Sequence, residues 1–107
     1  MKSVRVLFLT AILVVTCAAI ASAQTSTPRI DRRETRQHER IQQGVRSGEL
    51  THGEARNLRA GQRHIHRMEM RAKSDGKVTP RERARITRAQ DRQSRKIWRE
   101  KHNDNVR

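Results

Sequence analysis

Two segments of the sequence carry the same turn pattern at an offset of 28 residues, Gly48-Glu49-Leu50-Thr51 and Gly76-Lys77-Val78-Thr79, and each is followed by a glutamate, Glu54 or Glu82. Each threonine suits a helix N-cap, because its hydroxyl can accept a hydrogen bond from the backbone amide three residues later, while the glutamate accepts one from the threonine amide. Each glycine suits the left-handed residue that closes a preceding helix. The repeat therefore predicts a helix on both sides of each turn, and so a chain of three helices.

The repeat also indicates where the helices begin and end. The expected helices run from Arg29 to Arg46, from His52 to Lys73 and from Pro80 to Lys101. Pro80 takes the first helical position, where its fixed φ is compatible with a helix, and the two short turns bring consecutive helices antiparallel. The expected organisation is a flexible N-terminus at 24–28, a three-helix domain at 29–102 and a C-terminal tail at 103–107.

The apolar side chains follow a helical period but are few. A rotation of 100° per residue collects one narrow seam on each helix: Ile30, Glu34, Gln37, Ile41 and Val45; Leu58, Gln62, Ile65 and Ala72; Ile86, Gln90, Gln93 and Ile97. Residues 24–107 contain only thirteen large apolar side chains, too few to enclose a deep substrate pocket. We therefore expect an all-α fold, a slender antiparallel three-helix hairpin or bundle that is not an enzyme. The glutamines in its seams suggest partial opening or a partner.

Residues 1–23 have the pattern of a secretory signal peptide. Lys2 and Arg5 precede a nearly unbroken apolar run, and Ala21-Ser22-Ala23 supplies the small residues of a cleavage site before Gln24. We expect this segment to be removed, leaving a periplasmic or secreted protein without a stable membrane span. Cleavage would also remove Cys17, the one cysteine, and with it disulfide and thiol chemistry. Lipid attachment at Cys17 is the alternative.

Positive charge dominates the composition, because 25 Lys plus Arg against 11 Asp plus Glu give a net charge of +14. Arginines recur at helical spacing away from the seams, so each helix is expected to expose a basic face. Guanidinium groups bind phosphate and carboxylate through two parallel hydrogen bonds. The residues predicted to bind acidic polymers or anionic envelope components are Arg59, Arg63, Arg67, Arg85, Arg88, Arg92 and Arg95. The alternative is a solvated surface, with some arginines paired to Glu39, Glu69, Asp91 or Glu100.

Other chemistry has little support in the sequence. Trp98 is the only tryptophan and tyrosine is absent, so the aromatic set that stacks on unpaired bases is missing. Neither a glycine-rich phosphate loop nor a nucleophile elbow occurs. We expect no cofactor and no base-specific recognition.

The second turn resembles the second half of an EF-hand loop, with Asp75 and Gly76 in the turn and Glu82 as the closing carboxylate. Arg71 and Lys73, however, occupy the positions of the first and third calcium ligands. A calcium ion takes six to eight oxygen ligands. A glycine turn before a capped helix is the simpler interpretation, and calcium binding by Asp75 and Glu82 is the alternative.

A second metal hypothesis concerns the second helix, where histidine and methionine stand four residues apart in two pairs. The pairs are His64 with Met68 and His66 with Met70. Nitrogen with a soft thioether suits copper(I), although the neighbouring arginines would repel a cation. The competing interpretation is that the histidines are polar surface residues and the methionines are partly buried.

The turns carry two resemblances. Ser47 to Thr51, Asp75 to Thr79 and the final Lys101-His102-Asn103 resemble small secreted bacterial all-helical proteins of unassigned function with degenerate EF-hand-like turns. Leu50 to Glu54 and Val78 to Glu82 look like the Leu-Thr-x-x-Gln motif of the periplasmic spheroplast protein Y family, with Glu in place of Gln. The second resemblance implies a stress chaperone that holds unfolded proteins. The oligomeric state is left open by the sequence.

Overall fold

A computed structural model describes residues 25–103 as three helices that pack against one another in all three pairs. The helices are α1 (Pro28–Ser47), α2 (His52–Lys73) and α3 (Pro80–Lys101), so the all-α expectation is confirmed. The bounds of α2 and α3 are those expected, and α1 is longer by one residue at each end. The signal-peptide segment and the tail beyond residue 103 lie outside the described residues. Within residues 25–103 no helix is long and apolar enough to cross a membrane.

Both predicted capping boxes are present at the starts of α2 and α3. The amide of Glu54 donates to Thr51 Oγ1 at 3.1 Å, and the amide of Thr51 donates to Glu54 Oε1 at 3.0 Å. Thr79 and Glu82 repeat the arrangement at the same two distances. The turn glycines before them have φ angles of 77° and 78°, in the left-handed region that favours glycine. The repeat in the sequence therefore corresponds to one local structure built twice.

The start of α1 is held by contacts of Thr27 with a second helix. Pro28 is the first helical residue, and Thr27 before it is only 2% exposed. The Thr27 hydroxyl donates to Glu69 Oε1 in α2 at 2.7 Å, and the amide of Asp31 donates to the Thr27 carbonyl at 2.9 Å. A partner 42 residues away along the chain therefore holds Thr27 at the start of α1.

Two apolar clusters form the core, one at each end of the bundle. Buried positions recur at alternating spacings of three and four residues, the spacing of left-handed helical packing. One cluster contains Ile30, Ile65, Ala72, Val78, Ile86 and Ala89. The other contains Ile41, Leu50, Ala55, Leu58 and Ile97.

Four buried glutamines lie between the clusters and join the helices through backbone carbonyl groups. Gln37 donates to the carbonyl of Gln90 at 2.8 Å, and Gln90 donates to that of Ile30 at 3.0 Å. Gln93 donates to Leu58 at 2.7 Å, and Gln62 donates to Glu34 at 3.5 Å. Each carbonyl has a second lone pair free for such a bond even within a helix. The seam glutamines therefore connect the helices by hydrogen bonds at all three interfaces.

Candidate functional site

The seven arginines predicted to bind acidic polymers are all exposed in the structure. None of them forms an ion pair with an acidic side chain of residues 25–103. The expected pairing of arginine with Asp91 occurs instead at Arg33, whose Nη2 lies 2.6 Å from Asp91 Oδ1. Glu69 is likewise paired, but with Lys73. The seven guanidinium groups thus lack the internal neutralisation that an ordinary paired surface provides.

These arginines do not share one face of the bundle. Arg63 and Arg67 border a cleft between α1 and α2, whereas Arg85 borders a smaller cleft between α2 and α3 together with Arg71. The groove between α1 and α3 has an arginine border of its own, contributed by Arg29, Arg32, Arg33 and Arg36. Positive charge is therefore distributed around the helix bundle and is not confined to a single patch.

Most of the acidic side chains in residues 25–103 make hydrogen bonds or ion pairs within the fold. Glu54 and Glu82 complete the capping boxes, and Glu49 accepts from the Ser47 hydroxyl at 2.7 Å. Three further carboxylates gather at the cleft between α1 and α2. This use of the acids in local structure explains why the exposed arginines are left without partners.

The cleft between α1 and α2 brings a histidine and two glutamates together. His66 Nδ1 lies 3.2 Å from Glu34 Oε1 and 4.0 Å from Glu69 Oε2. Glu69 is 1% exposed, and its other oxygen, Oε1, lies 2.8 Å from Lys73 Nζ and 2.7 Å from the Thr27 hydroxyl. We call Glu34, His66 and Glu69 the cleft triad. Among the residues described, this is the only group of three such side chains whose ligand atoms all lie within 4.8 Å of one another.

Three carboxylates crowd this cleft against one lysine. Burial, followed by the Glu69 carboxylate, raises the pKa of Asp31, and the same two causes raise the pKa of Glu34. Although burial opposes it, hydrogen bonds with Lys73, Asp31 and Thr27 lower the pKa of Glu69 to about 2. Glu69 is therefore the carboxylate whose charge the cleft stabilises. That charge makes ionisation of Asp31 and Glu34 less favourable.

The predicted calcium and copper(I) ligands have other surroundings in the structure. Asp75 Oδ1 accepts from the Lys77 amide at 3.2 Å, and Glu82 accepts from the Thr79 amide, so both candidate calcium ligands serve backbone groups. Met68 packs against an apolar cluster, Met70 is 44% exposed, and His64 is exposed. His66 faces the two glutamates of the cleft.

Glu34 and Glu69 were not predicted as site residues, although the sequence contains a signal. Glu34 occupies a seam position of α1, and Glu69 lies between Ile65 and Ala72 in the buried series of α2. A carboxylate in each of two facing seams has to find a partner when the helices pack. His66, three residues before Glu69, borders the same seam.

A second carboxylate pair lies at the other end of the bundle. The Asn103 amide donates to Glu54 Oε2 and, at 3.1 Å, to Glu100 Oε2. Hydrogen bonds with Glu100, the Thr51 backbone and Asn103 lower the pKa of Glu54 to about 2. The hydrogen bond with Glu54, followed by burial, raises the pKa of Glu100. Nearby, Trp98 is 62% exposed and stacks on His102 with ring centroids 4.3 Å apart.

Comparison with protein-family models, with curated proteins and with solved structures found no match to this chain.

Proposed function

We propose that this protein is exported and binds acidic polymers, without catalysis, through the exposed arginines of α2 and α3. A guanidinium group offers two parallel N–H donors to a phosphate, sulfate or carboxylate, which makes such contacts strong and directional. Polymers of this kind outside the inner membrane include phosphorylated lipopolysaccharide, acidic polysaccharide and extracellular DNA. The contacting residues in the proposal are Arg59, Arg63, Arg67, Arg85, Arg88, Arg92 and Arg95.

The observation that carries the proposal is that these seven exposed side chains form no ion pair with any acidic residue in the described range 25–103. Like charges four residues apart on a helix destabilise it by about 0.2–0.5 kcal/mol per pair, and Arg59, Arg63 and Arg67 form two such pairs in succession. A polyanion relieves this repulsion. It also releases its own condensed counterions when the arginines replace them.

The arrangement favours a polymer over a small anion. The arginines of α3 recur from Arg81 to Arg99, a distance of about 27 Å along a helix axis. Arginines also border each of the three grooves of the bundle. An extended chain of charges can contact many of these groups at once, whereas a single phosphate can contact only one or two.

The test measures fluorescence anisotropy of a labelled single-stranded DNA oligonucleotide, and separately of a labelled heparin fragment, titrated with purified protein. Titrations at about 50 and about 200 mM salt define the salt dependence. The expected result is tight binding at low salt that weakens steeply at the higher concentration. Absence of binding at about 50 mM salt contradicts the proposal.

Two variants of equal charge separate the proposed surface from net charge alone. Arg88→Gln/Arg92→Gln/Arg95→Gln removes three proposed contacts, and Arg32→Gln/Arg40→Gln/Arg46→Gln removes three exposed arginines of α1. Gln has nearly the helix propensity of Arg, so both triples should fold. A plot of log affinity for DNA against log salt should become shallower in the α3 triple, its slope falling in magnitude by about two to three. The α1 triple should reduce the magnitude of the slope by less. Equal losses would mean that total charge, not these helices, governs binding.

A further inference from the structure

We propose that the cleft triad, Glu34, His66 and Glu69, binds a divalent transition-metal ion of the zinc class. The site lies between α1 and α2 and uses none of the seven arginines of the proposed polymer surface. Arg63 and Arg67 of that surface border the same cleft, but zinc binding is measured without a polymer, so its failure is distinguishable from failure of polyanion binding.

The distances in the triad are close to those of a formed metal site. Zinc binds histidine nitrogen and carboxylate oxygen at about 2.0–2.2 Å, which places ligand atoms about 3.3–3.5 Å apart around a tetrahedral ion. His66 Nδ1 and Glu34 Oε1 already lie 3.2 Å apart, and His66 Nδ1 and Glu69 Oε2 lie 4.0 Å apart. The oxygens of Glu34 and Glu69 lie within 4.8 Å of one another, so binding one ion requires small movements of both the exposed His66 ring and the Glu34 side chain.

Glu69 is held in the orientation that a ligand needs. Thr27 and Lys73 both engage Oε1, at 2.7 and 2.8 Å, while Oε2 is the oxygen on the His66 side. Carboxylate ligands of metal ions are commonly fixed in this way by hydrogen bonds from outer groups. These two bonds fix Glu69 through Oε1, and Oε2 is its oxygen nearer to His66.

The Gln62 side chain lines the same cleft and has one unpaired polar atom, Oε1. Gln62 is 8% exposed and precedes His66 by one helical turn. Its Nε2 donates to the Glu34 carbonyl, but its Oε1 is buried and accepts no hydrogen bond from the part of the chain that the structure describes. A buried acceptor without a donor is unfavourable. An amide oxygen is a ligand for hard and borderline cations, so an ion or its bound water would satisfy this atom.

Carboxylates concentrate at the triad even though the chain as a whole is basic. Asp31 and Glu69 pair with Lys73, and Glu34 lies beside His66. Arg63 and Arg67 stand at the edge of the cleft, where they are exposed, and they reduce the affinity for a cation without filling the triad. One nitrogen with carboxylate oxygens suits zinc and its neighbours better than copper(I), which prefers thiolate or thioether ligands.

The experiment is a competition between the protein and a chromophoric zinc indicator at neutral pH, using untagged protein. All proteins carry Cys17→Ala, because a thiol would bind zinc in its own right. We expect one zinc ion per chain. His66→Ala, at an exposed position, and Glu34→Gln should each weaken binding by more than about tenfold, since even outer groups of a metal site contribute about 10–100-fold.

His64→Ala is the matched control, because His64 is exposed on the same helix and lies outside the triad. It should leave the affinity unchanged, and Arg67→Gln should raise it. Cobalt(II) in place of zinc should give visible absorption bands that disappear in His66→Ala. Zinc affinity that is equal in His66→Ala, Glu34→Gln and the parent protein, or that falls equally in His64→Ala, would overturn the proposal.

Discussion

Gln93 in α3 donates from its side-chain amide to the backbone carbonyl of Leu58 in α2 at 2.7 Å. The bond passes beside Gly61, where an added Cβ would lie 2.5 Å from Gln93 Oε1. A glycine inside a helix costs about 0.5–1 kcal/mol relative to alanine. At Gly61 that cost is offset because the bare backbone lets the glutamine reach the neighbouring helix.

Alanine substitutions at two glycines of α2 should therefore have opposite effects. Gly53→Ala places its Cβ in open space and should stabilise the fold by about 0.5–1 kcal/mol through helix propensity. Gly61→Ala has to displace the Gln93 amide and should destabilise it by about 1 kcal/mol, because a buried hydrogen bond is lost. Urea denaturation followed by circular dichroism measures both. Equal stabilisation by the two changes would show that the Gln93 contact contributes little.

How much of the fold can be predicted depends on how local its determinants are. The starts of α2 and α3 were predicted correctly because each capping box joins residues three positions apart. The start of α1 was missed by one residue, since Thr27 makes no side-chain cap bond and is instead held by Glu69. The glutamine positions were visible as seam residues, but their carbonyl partners depend on the register between helices.

The same distinction applies to the candidate sites. Exposure of the seven arginines follows from a helical wheel, because residues opposite a seam face solvent. The cleft triad requires Glu34 of α1 to meet His66 and Glu69 of α2, which only the packing of two helices decides. His66 was recognised as a metal candidate from its spacing to Met70, whereas the structure gives it carboxylate neighbours.

The capping hydroxyl of α3 provides a prediction about local stability. Thr79→Ala removes the acceptor of the Glu82 amide and should cost about 0.5–2 kcal/mol. Thr87→Ala, at an exposed position within α3, should instead be neutral or slightly stabilising because alanine is the better helix former. Thermal melts of both variants test this. Identical melting temperatures for Thr79→Ala and the parent would mean that α3 does not depend on its cap.

The carboxylate pair Glu54 and Glu100 should make stability depend on pH in two opposite ways. The pKa of Glu54 is lowered from 4.5 to about 2, so its contribution is present above 4.5 and is lost as the pH falls towards 2. The pKa of Glu100 is raised, so its charge opposes folding at neutral pH and this opposition fades as the group is protonated. Stability should therefore be greatest in mildly acidic solution.

Two glutamine variants separate these contributions. Glu100→Gln should be more stable than the parent at about pH 7, because it removes the charge next to Glu54 and introduces an amide N–H that can donate to the Glu54 carboxylate. Glu54→Gln keeps a side chain suited to the capping box and should lose less stability than the parent between about pH 4.5 and about pH 2.5. Urea denaturation across this range measures both effects. A parent protein whose stability is flat with pH would contradict the coupling of the two groups.

Lys73 should matter to stability more than any exposed lysine, because it is the cation that pairs with the buried Glu69. Its Nζ lies 2.8 Å from Glu69 Oε1, and its side chain is 27% exposed. Removing one partner of a fully buried pair costs about 3–5 kcal/mol. Since Lys73 is partly solvated, Lys73→Met should cost about 1–2 kcal/mol. Lys77→Met, at an exposed turn position, removes the same charge and should change stability by less than about 0.5 kcal/mol. If the two variants unfold at the same urea concentration, a group other than Lys73 balances the charge of Glu69. Lys73 would then not be what orients Glu69 Oε2 towards His66.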